Sequence, residues 1–217
     1  MNNSEKLDFL EQLFTPLVSD VMDRLGISGY VLSHSIQSVF FDQHLKVAGY
    51  AYPCRVIPTQ DYVEIDTLLQ MVDSIPKDSI VLVAADADID AALWGGLMST
   101  RAKARGARGA VVNGGVRDIE QISNLGFPVF GEYRCIKDIR RRGYMAEYGI
   151  EVTFSGVRIC PNDIIFADAN GIVVLPFRHQ EEIFVELHKS IEGEKHTELG
   201  LIAGKSAQEL FGEFKTF

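Results

Sequence analysis

Gly95-Gly96-Leu97-Met98 and, eighteen residues later, Arg117-Asp118 frame the stretch from which the fold can be read. Residues 93–105 have the composition of a helix, and Gly106 stands where a left-handed C-cap would close it. Ala110-Val111-Val112-Asn113 is short and apolar, the pattern of a buried strand; Gly114-Gly115 then lets the chain turn before it presents Val116, Arg117 and Asp118. Two glycines in a helix's first turn leave backbone N–H groups uncovered by any Cβ, at the end where the helix dipole is positive. An anion-ready helix start, a fixed cation and a metal-capable carboxylate thus fall within one α/β unit. That is where α/β proteins bind ligands.

Outward from this unit, short β-branched runs recur between Gly, Pro, Asn and Asp. They predict strands over 47–57, 79–85, 109–113, 128–131, 151–154, 157–160, 163–167 and 172–175. Helices are expected over 4–14, 16–25, 66–72, 93–105, 118–125 and 178–192, with Leu7, Leu10, Leu13 and Phe14 at helical spacing and Pro16 in a first turn. The first half alternates strand and helix and the second runs mostly strand after strand, so the pattern predicts a mixed α/β chain. One domain over 1–217 is expected, with N-terminal helices over about 4–25 and C-terminal helices over about 178–217. Leu210, Phe211, Phe214 and Phe217 make a terminal apolar stripe that needs a cover.

A net charge of −9 argues against a nucleic-acid partner, because binding to phosphates relies on clustered cations. The local exception is the basic run from Arg134 to Arg142, which reads as a solvated face or as the border of an anionic substrate's path. No run of eighteen apolar residues occurs and the opening Met-Asn-Asn-Ser-Glu-Lys is polar, so a cytoplasmic protein without membrane contact is expected. Cys54, Cys135 and Cys160 fit neither a disulfide framework nor a zinc site and are expected as buried thiols. His34, His44, His179, His188 and His196 are dispersed. Asp86, Asp88 and Asp90 suggest a calcium loop but lack its glycine and closing glutamate. An Arg-Asp pair opening a helix is also what a simple N-cap with a solvent-facing arginine looks like.

The block from Ala91 to Phe130 resembles the core of the RraA-like family, which includes metal-dependent 4-hydroxy-4-methyl-2-oxoglutarate aldolases and regulators of ribonuclease E. The likeness is carried by Ala-Ala-Leu-Trp-Gly-Gly-Leu-Met at 91–98, Ala-Lys-Ala-Arg-Gly at 102–106, Asn-Gly-Gly-Val-Arg-Asp at 113–118 and Leu-Gly-Phe-Pro-Val-Phe at 125–130. It extends to Val18–Gly26, Val47–Ala51, Pro161-Asn162-Asp163 and Asp168–Pro176.

The resemblance implies a swivelling β/β/α sandwich flanked by terminal helices, assembled as a homotrimer or homohexamer with sites at subunit interfaces. It implies a metal-dependent carbon–carbon lyase that acts on a small 2-oxo dicarboxylic acid and yields pyruvate, by retro-aldol cleavage or oxaloacetate decarboxylation. Asp118 would ligate Mg²⁺ or Mn²⁺ with water completing the shell, and Arg117 would grip the 2-oxo acid. The backbone of Gly95, Gly96, Leu97 and Met98 would hold a carboxylate. Glu192 and Glu194 are candidates to support a neighbouring subunit's site. The alternative is a noncatalytic regulator that binds a partner enzyme such as a ribonuclease. Family aldolases usually carry an acid where this chain has Gly96, and acids are common where it has Asn113 and Gln121, so the acidic shell is thinned. A weak aldolase is the expected consequence.

Overall fold

The run Ser79–Ala85 is buried until its last residue, and its side chains part to two faces with the period of two that a strand imposes. Val81 and Val83 join one apolar layer while Ile80, Leu82 and Ala84 join another. This division organises the whole molecule. A computed structural model describes residues 1–40 and 44–214, the side chain of Phe214 excepted.

The N-terminal part holds α1 (Asn3–Leu10), α2 (Thr15–Arg24), β1 (Gln37–Ser38), β2 (Val47–Pro58) and α3 (Asp66–Ser74). The central part holds β3 (Ser79–Ala85), β4 (Ala92–Trp94), α4 (Gly96–Arg105), β5 (Gly109–Val116), α5 (Ile119–Leu125) and β6 (Val129–Arg134). Strands β7 (Gly143–Tyr148), β8 (Val152–Phe154), β9 (Val157–Ile159), β10 (Ile164–Ala167) and β11 (Ile172–Leu175) follow, and α6 (Gln180–Ile202) and α7 (Ala207–Phe214) end the chain.

Among the described residues the large sheet runs β1-β6-β5-β3-β2-β10-β11, with β4 beside β5 and β7 beside β2. Strands β2, β3, β5 and β6 are parallel, which demands the crossover helices α3, α4 and α5 between them. Strands β10 and β11 extend the sheet antiparallel. Met71 and Val72 of α3, Ala102 of α4 and Ile122 of α5 cover the Val81 and Val83 face. Val152, Phe154, Val157 and Ile159 of the β8–β9 hairpin cover the opposite face. Ala48 lies six residues from Cys54 on β2 and so shares the helix-covered face, where α1, α2 and α6 pack. The result is a helix, sheet and hairpin layering, the α/β arrangement expected. Truncating a fully buried side chain such as Phe154 to alanine is worth about 3–5 kcal/mol of stability.

Several elements differ from expectation: β5 runs on through Gly114 and Gly115 to Val116 where a turn was expected, and α1 ends at Leu10. Leu93 and Trp94 belong to β4, because Ala92 and Trp94 pair with Gly115 and Val116, so the helix begins at Gly96. Strand β7 is absent from the sequence reading, since its run Gly-Tyr-Met-Ala-Glu-Tyr holds no β-branched residue. The two-residue β1 is likewise too short to signal itself. Helix α6 continues past Glu192 to Ile202 through Gly193 and Gly200. Gly200 lies so close to Leu210 that an added Cβ would sit 2.4 Å from its Cδ2, and Leu210 is fully buried by this approach. Phe211 is half exposed, while the side chains of Phe214 and Phe217 lie outside the described residues. Among the described residues no helix is long and apolar enough to cross a membrane.

Candidate functional site

Strand β5 can approach β4 closely because Gly115 has no side chain: a Cβ there would stand 2.5 Å from the Ala91 carbonyl oxygen. The Arg117 N–H then donates to the Trp94 carbonyl at 3.1 Å, which seats Arg117 and Asp118 beside Gly95. Asp118 adopts the left-handed conformation, φ 60° and ψ 39°. That conformation costs a residue with a side chain roughly 1–2 kcal/mol, though aspartate tolerates it better than most. Asp118 stands at the N-cap of α5 yet makes no side-chain bond to that helix. Its Oδ2 instead accepts the Gly96 N–H at 3.0 Å. The carboxylate therefore caps α4, the neighbouring helix, and the simple self-capping reading does not hold.

Arg117 is strung between two carboxylates. Its Nε lies 3.8 Å from Asp118 Oδ2 and its Nη1 lies 3.4 Å from Asp138 Oδ2. Asp138 is itself fixed, since its Oδ1 accepts the Arg140 N–H at 2.8 Å. Burial works to raise the Asp138 pKa, but the Arg140 N–H and the Arg140 and Arg117 charges outweigh it and hold the carboxyl below its usual range. All three side chains stay about two-fifths exposed.

These groups open onto a cleft of about 410 Å³ whose lining includes Gly95, Leu97, Met98, Arg117 and Asp118. The structure thus brings the sequence-predicted residues together. Gly96 contributes its N–H to Asp118, and Leu97 is 80% exposed. The Gly96 donor expected to face a substrate carboxylate is already occupied by Asp118, which leaves the Leu97 and Met98 N–H groups in the same first turn. Sequence reasoning missed Asp138 and the apolar wall from α3. Asp138 was hidden inside the basic run, and Arg140 of that run lines the cleft as well.

The remaining candidates fall elsewhere. Lys137 pairs with Asp90, and Arg141 lies over the Tyr62 ring. Asp86 is held by Arg55 at 2.8 Å, so two acids of the triplet, Asp86 and Asp90, are ion-paired. Glu194 shares its surroundings with Asp20 and Arg24, away from this chain's cleft, and burial raises its pKa. Of the cysteines only Cys54 is buried, and burial pushes its thiol up; Cys135 and Cys160 are half buried, contrary to expectation. His188 stacks on Phe9, and His179 pairs with Glu182. A larger hollow of about 530 Å³ lies against residues 31–40 and 168–171. Its buried acid, Asp168, is saturated by Thr15 and Asn170.

Of the three positions where an acid is missing, Asn113 donates to Ser155 Oγ at 3.1 Å. Gly96 and Gln121 are neighbours: a Cβ built on Gly96 would lie 2.1 Å from Gln121 Oε1. Among the described residues no group of three or more His, Cys, Asp or Glu converges as a metal cage. A hard cation held here would rest on Asp118 and water, a shell that Mg²⁺ accepts readily.

Comparison with known proteins bears on the family and the fold. DlpA of Legionella pneumophila is 34% identical over 169 residues, which span 76% of this chain but 26% of DlpA, so the chain covers only about a quarter of that relative. A Halalkalibacterium halodurans protein provisionally named 4-hydroxy-4-methyl-2-oxoglutarate aldolase is 27% identical over 85% of this chain and 84% of its own length. RraAS2 of Streptomyces coelicolor, described as an unusual member of the RNase ES inhibitor RraA family, superposes with a TM-score of 0.79 at 22% identity, covering 92% of this chain and 96% of RraAS2. That likeness speaks to the fold. The RraA-like family model, described as aldolase/RraA, matches residues 15–174, and the chain belongs to this family.

Proposed function

We propose that this chain is a divalent-metal-dependent carbon–carbon lyase that acts on a small 2-oxo acid and releases pyruvate. The observation that carries the reading is the pairing of Arg117 and Asp118 at the cleft, beside the first turn of α4. When bound, Mg²⁺ or Mn²⁺ would act as a Lewis acid on the 2-oxo carbonyl. Asp118 supports this role because Oδ2 is fixed by Gly96 while Oδ1 has no hydrogen-bond partner among the described residues. Arg117 offers a planar fork to the carboxylate and to the oxygen on which negative charge develops. In retro-aldol cleavage the C3–C4 bond breaks, its electron pair forms the pyruvate enolate and the C4 hydroxyl loses its proton. In decarboxylation the same bond breaks and CO₂ departs. Protonation at C3 then gives pyruvate by either route. Asp73 and Asp138 of the lining are ion-paired with arginines, and no His, Lys or Glu among the described residues lines the cleft, so the proton carrier in this reading is water.

Oxaloacetate and 4-hydroxy-4-methyl-2-oxoglutarate, the dicarboxylic acids suggested by family likeness, are the first test substrates. Pyruvate release that requires Mg²⁺ or Mn²⁺ and stops with chelator supports the proposal. The missing acids at Gly96, Asn113 and Gln121 favour a second reading, a noncatalytic regulator that binds a partner enzyme. The two readings part on pyruvate, which a regulator does not release. A trimeric or hexameric assembly belongs to the proposal too, supported by Leu97 and Ile136, which are 80% and 94% exposed. Both would gain cover from a neighbouring copy.

A further inference from the structure

We infer that the α3 wall of the cleft selects an aliphatic group, so that the preferred substrate is a monocarboxylic 4-hydroxy-2-oxo acid with a hydrocarbon substituent at C4. This rests on the lyase reading and narrows it. Ile65, Leu68, Leu69 and Val72 recur at i, i+3, i+4 and i+7 and form one stripe along α3. The stripe lines the cleft together with Met98 and Ile139. Leu69 remains 47% exposed there, apolar surface that the chain's own core does not cover.

The charges of the cleft point the same way. Arg101, Arg117 and Arg140 line it with Asp73, Asp118 and Asp138, three cations against three anions. Arg101 Nε is already bound to Asp73 Oδ1 at 2.7 Å, and Asp138 takes both Arg117 and Arg140. Beyond Arg117, which the lyase reading gives to the first carboxylate, no lining cation among the described residues is left without an acidic partner for a second. A charged group placed against the α3 stripe would lose hydration without gaining a partner. Each methylene buried there instead gains roughly fourfold in affinity.

The test uses Mn²⁺-loaded protein and three probes in calorimetric titrations: oxalate, 2-oxoglutarate and 4-methyl-2-oxopentanoate. The last two carry a carboxylate and an isobutyl-type tail on the same 2-oxo acid head. The inference expects oxalate to bind only with metal, and 4-methyl-2-oxopentanoate to bind at least tenfold tighter than 2-oxoglutarate. Leu69→Lys, at a half-exposed position that spares the core, should tighten 2-oxoglutarate and weaken the aliphatic acid. Absence of oxalate binding overturns the lyase reading and this inference with it. Oxalate binding with equal or tighter 2-oxoglutarate binding overturns the inference alone, as does a Leu69→Lys protein with wild-type preference.

Discussion

Gln121 fills the space that a side chain at position 96 would need: a Cβ on Gly96 would meet its Oε1 at 2.1 Å and its Cδ at 2.4 Å. The backbone of Gly96 is not in the left-handed region, so the constraint on this position is the neighbour and not its own φ. The colliding atoms are the far end of a flexible side chain. Replacing Gly96 is thus a packing question that Gln121 can answer by moving.

An acid placed here could move a proton from a substrate hydroxyl, a contribution typically worth about 10²–10⁴-fold. Decarboxylation needs no such proton. Wild type is therefore expected to decarboxylate oxaloacetate faster than it cleaves 4-hydroxy-4-methyl-2-oxoglutarate. Gly96→Asp should shift the ratio of the two rates toward cleavage, and adding Gln121→Ala should relieve the collision and shift it further. A folded double variant with the wild-type ratio would refute this account of the missing acid.

Arg117→Lys keeps the charge but loses the fork that spans Asp118 and Asp138. Oxalate affinity in the presence of Mn²⁺ should fall by about 2 kcal/mol, the order of one charge-assisted hydrogen bond. Unchanged affinity would mean that Arg117 does not touch the bound oxygens.

Asp138→Asn removes one anchor of Arg117, so it should weaken oxalate binding less than Arg117→Lys while leaving the fold intact. The pH dependence follows from the sign of the shift. The folded Asp138 pKa lies below its unfolded value, so the stability it contributes is complete above the unfolded pKa and is lost as pH falls through the lower, folded one. The Asp138 contribution to oxalate binding should therefore persist through the ordinary aspartate range in wild type and be lost only below it. In Asp138→Asn that acid-side decline should shrink. An identical acid limb in both proteins would remove Asp138 from the arrangement.

Much of this architecture was legible because burial imposes simple periods. The continuous apolar runs of β3 and of the start of β5, buried on both faces, and the left-handed cap at Gly106 were readable directly. The strand β7 was not, because its core face rests on Met145 and Tyr148 alone and the run holds no β-branched residue. The extension of α6 was masked by Gly193 and Gly200, each of which lowers helix propensity by about 1 kcal/mol relative to alanine. In the site, glycine spacing and the Arg117-Asp118 pair pointed to residues that the structure places around one cleft. Asp138 was invisible for a different reason: its partnership with Arg117 spans 21 residues and depends on where the segment after β6 turns. The cross-helix cap from Asp118 to Gly96 is likewise a tertiary contact with no local signature.

The account rests most heavily on Asp118, and the choice of variant matters. Alanine would lose the bond to Gly96 and meet the left-handed backbone unaided, a combined stability loss of about 1–3 kcal/mol. Asparagine tolerates that backbone and keeps an oxygen for the Gly96 N–H, so it isolates the charge. The decisive measurement is metal-stimulated pyruvate release by Asp118→Asn, beside its thermal unfolding midpoint. The account predicts a midpoint close to wild type with release reduced to the level seen with chelator. A folded Asp118→Asn protein that releases pyruvate at the wild-type rate in Mg²⁺ or Mn²⁺ would contradict it.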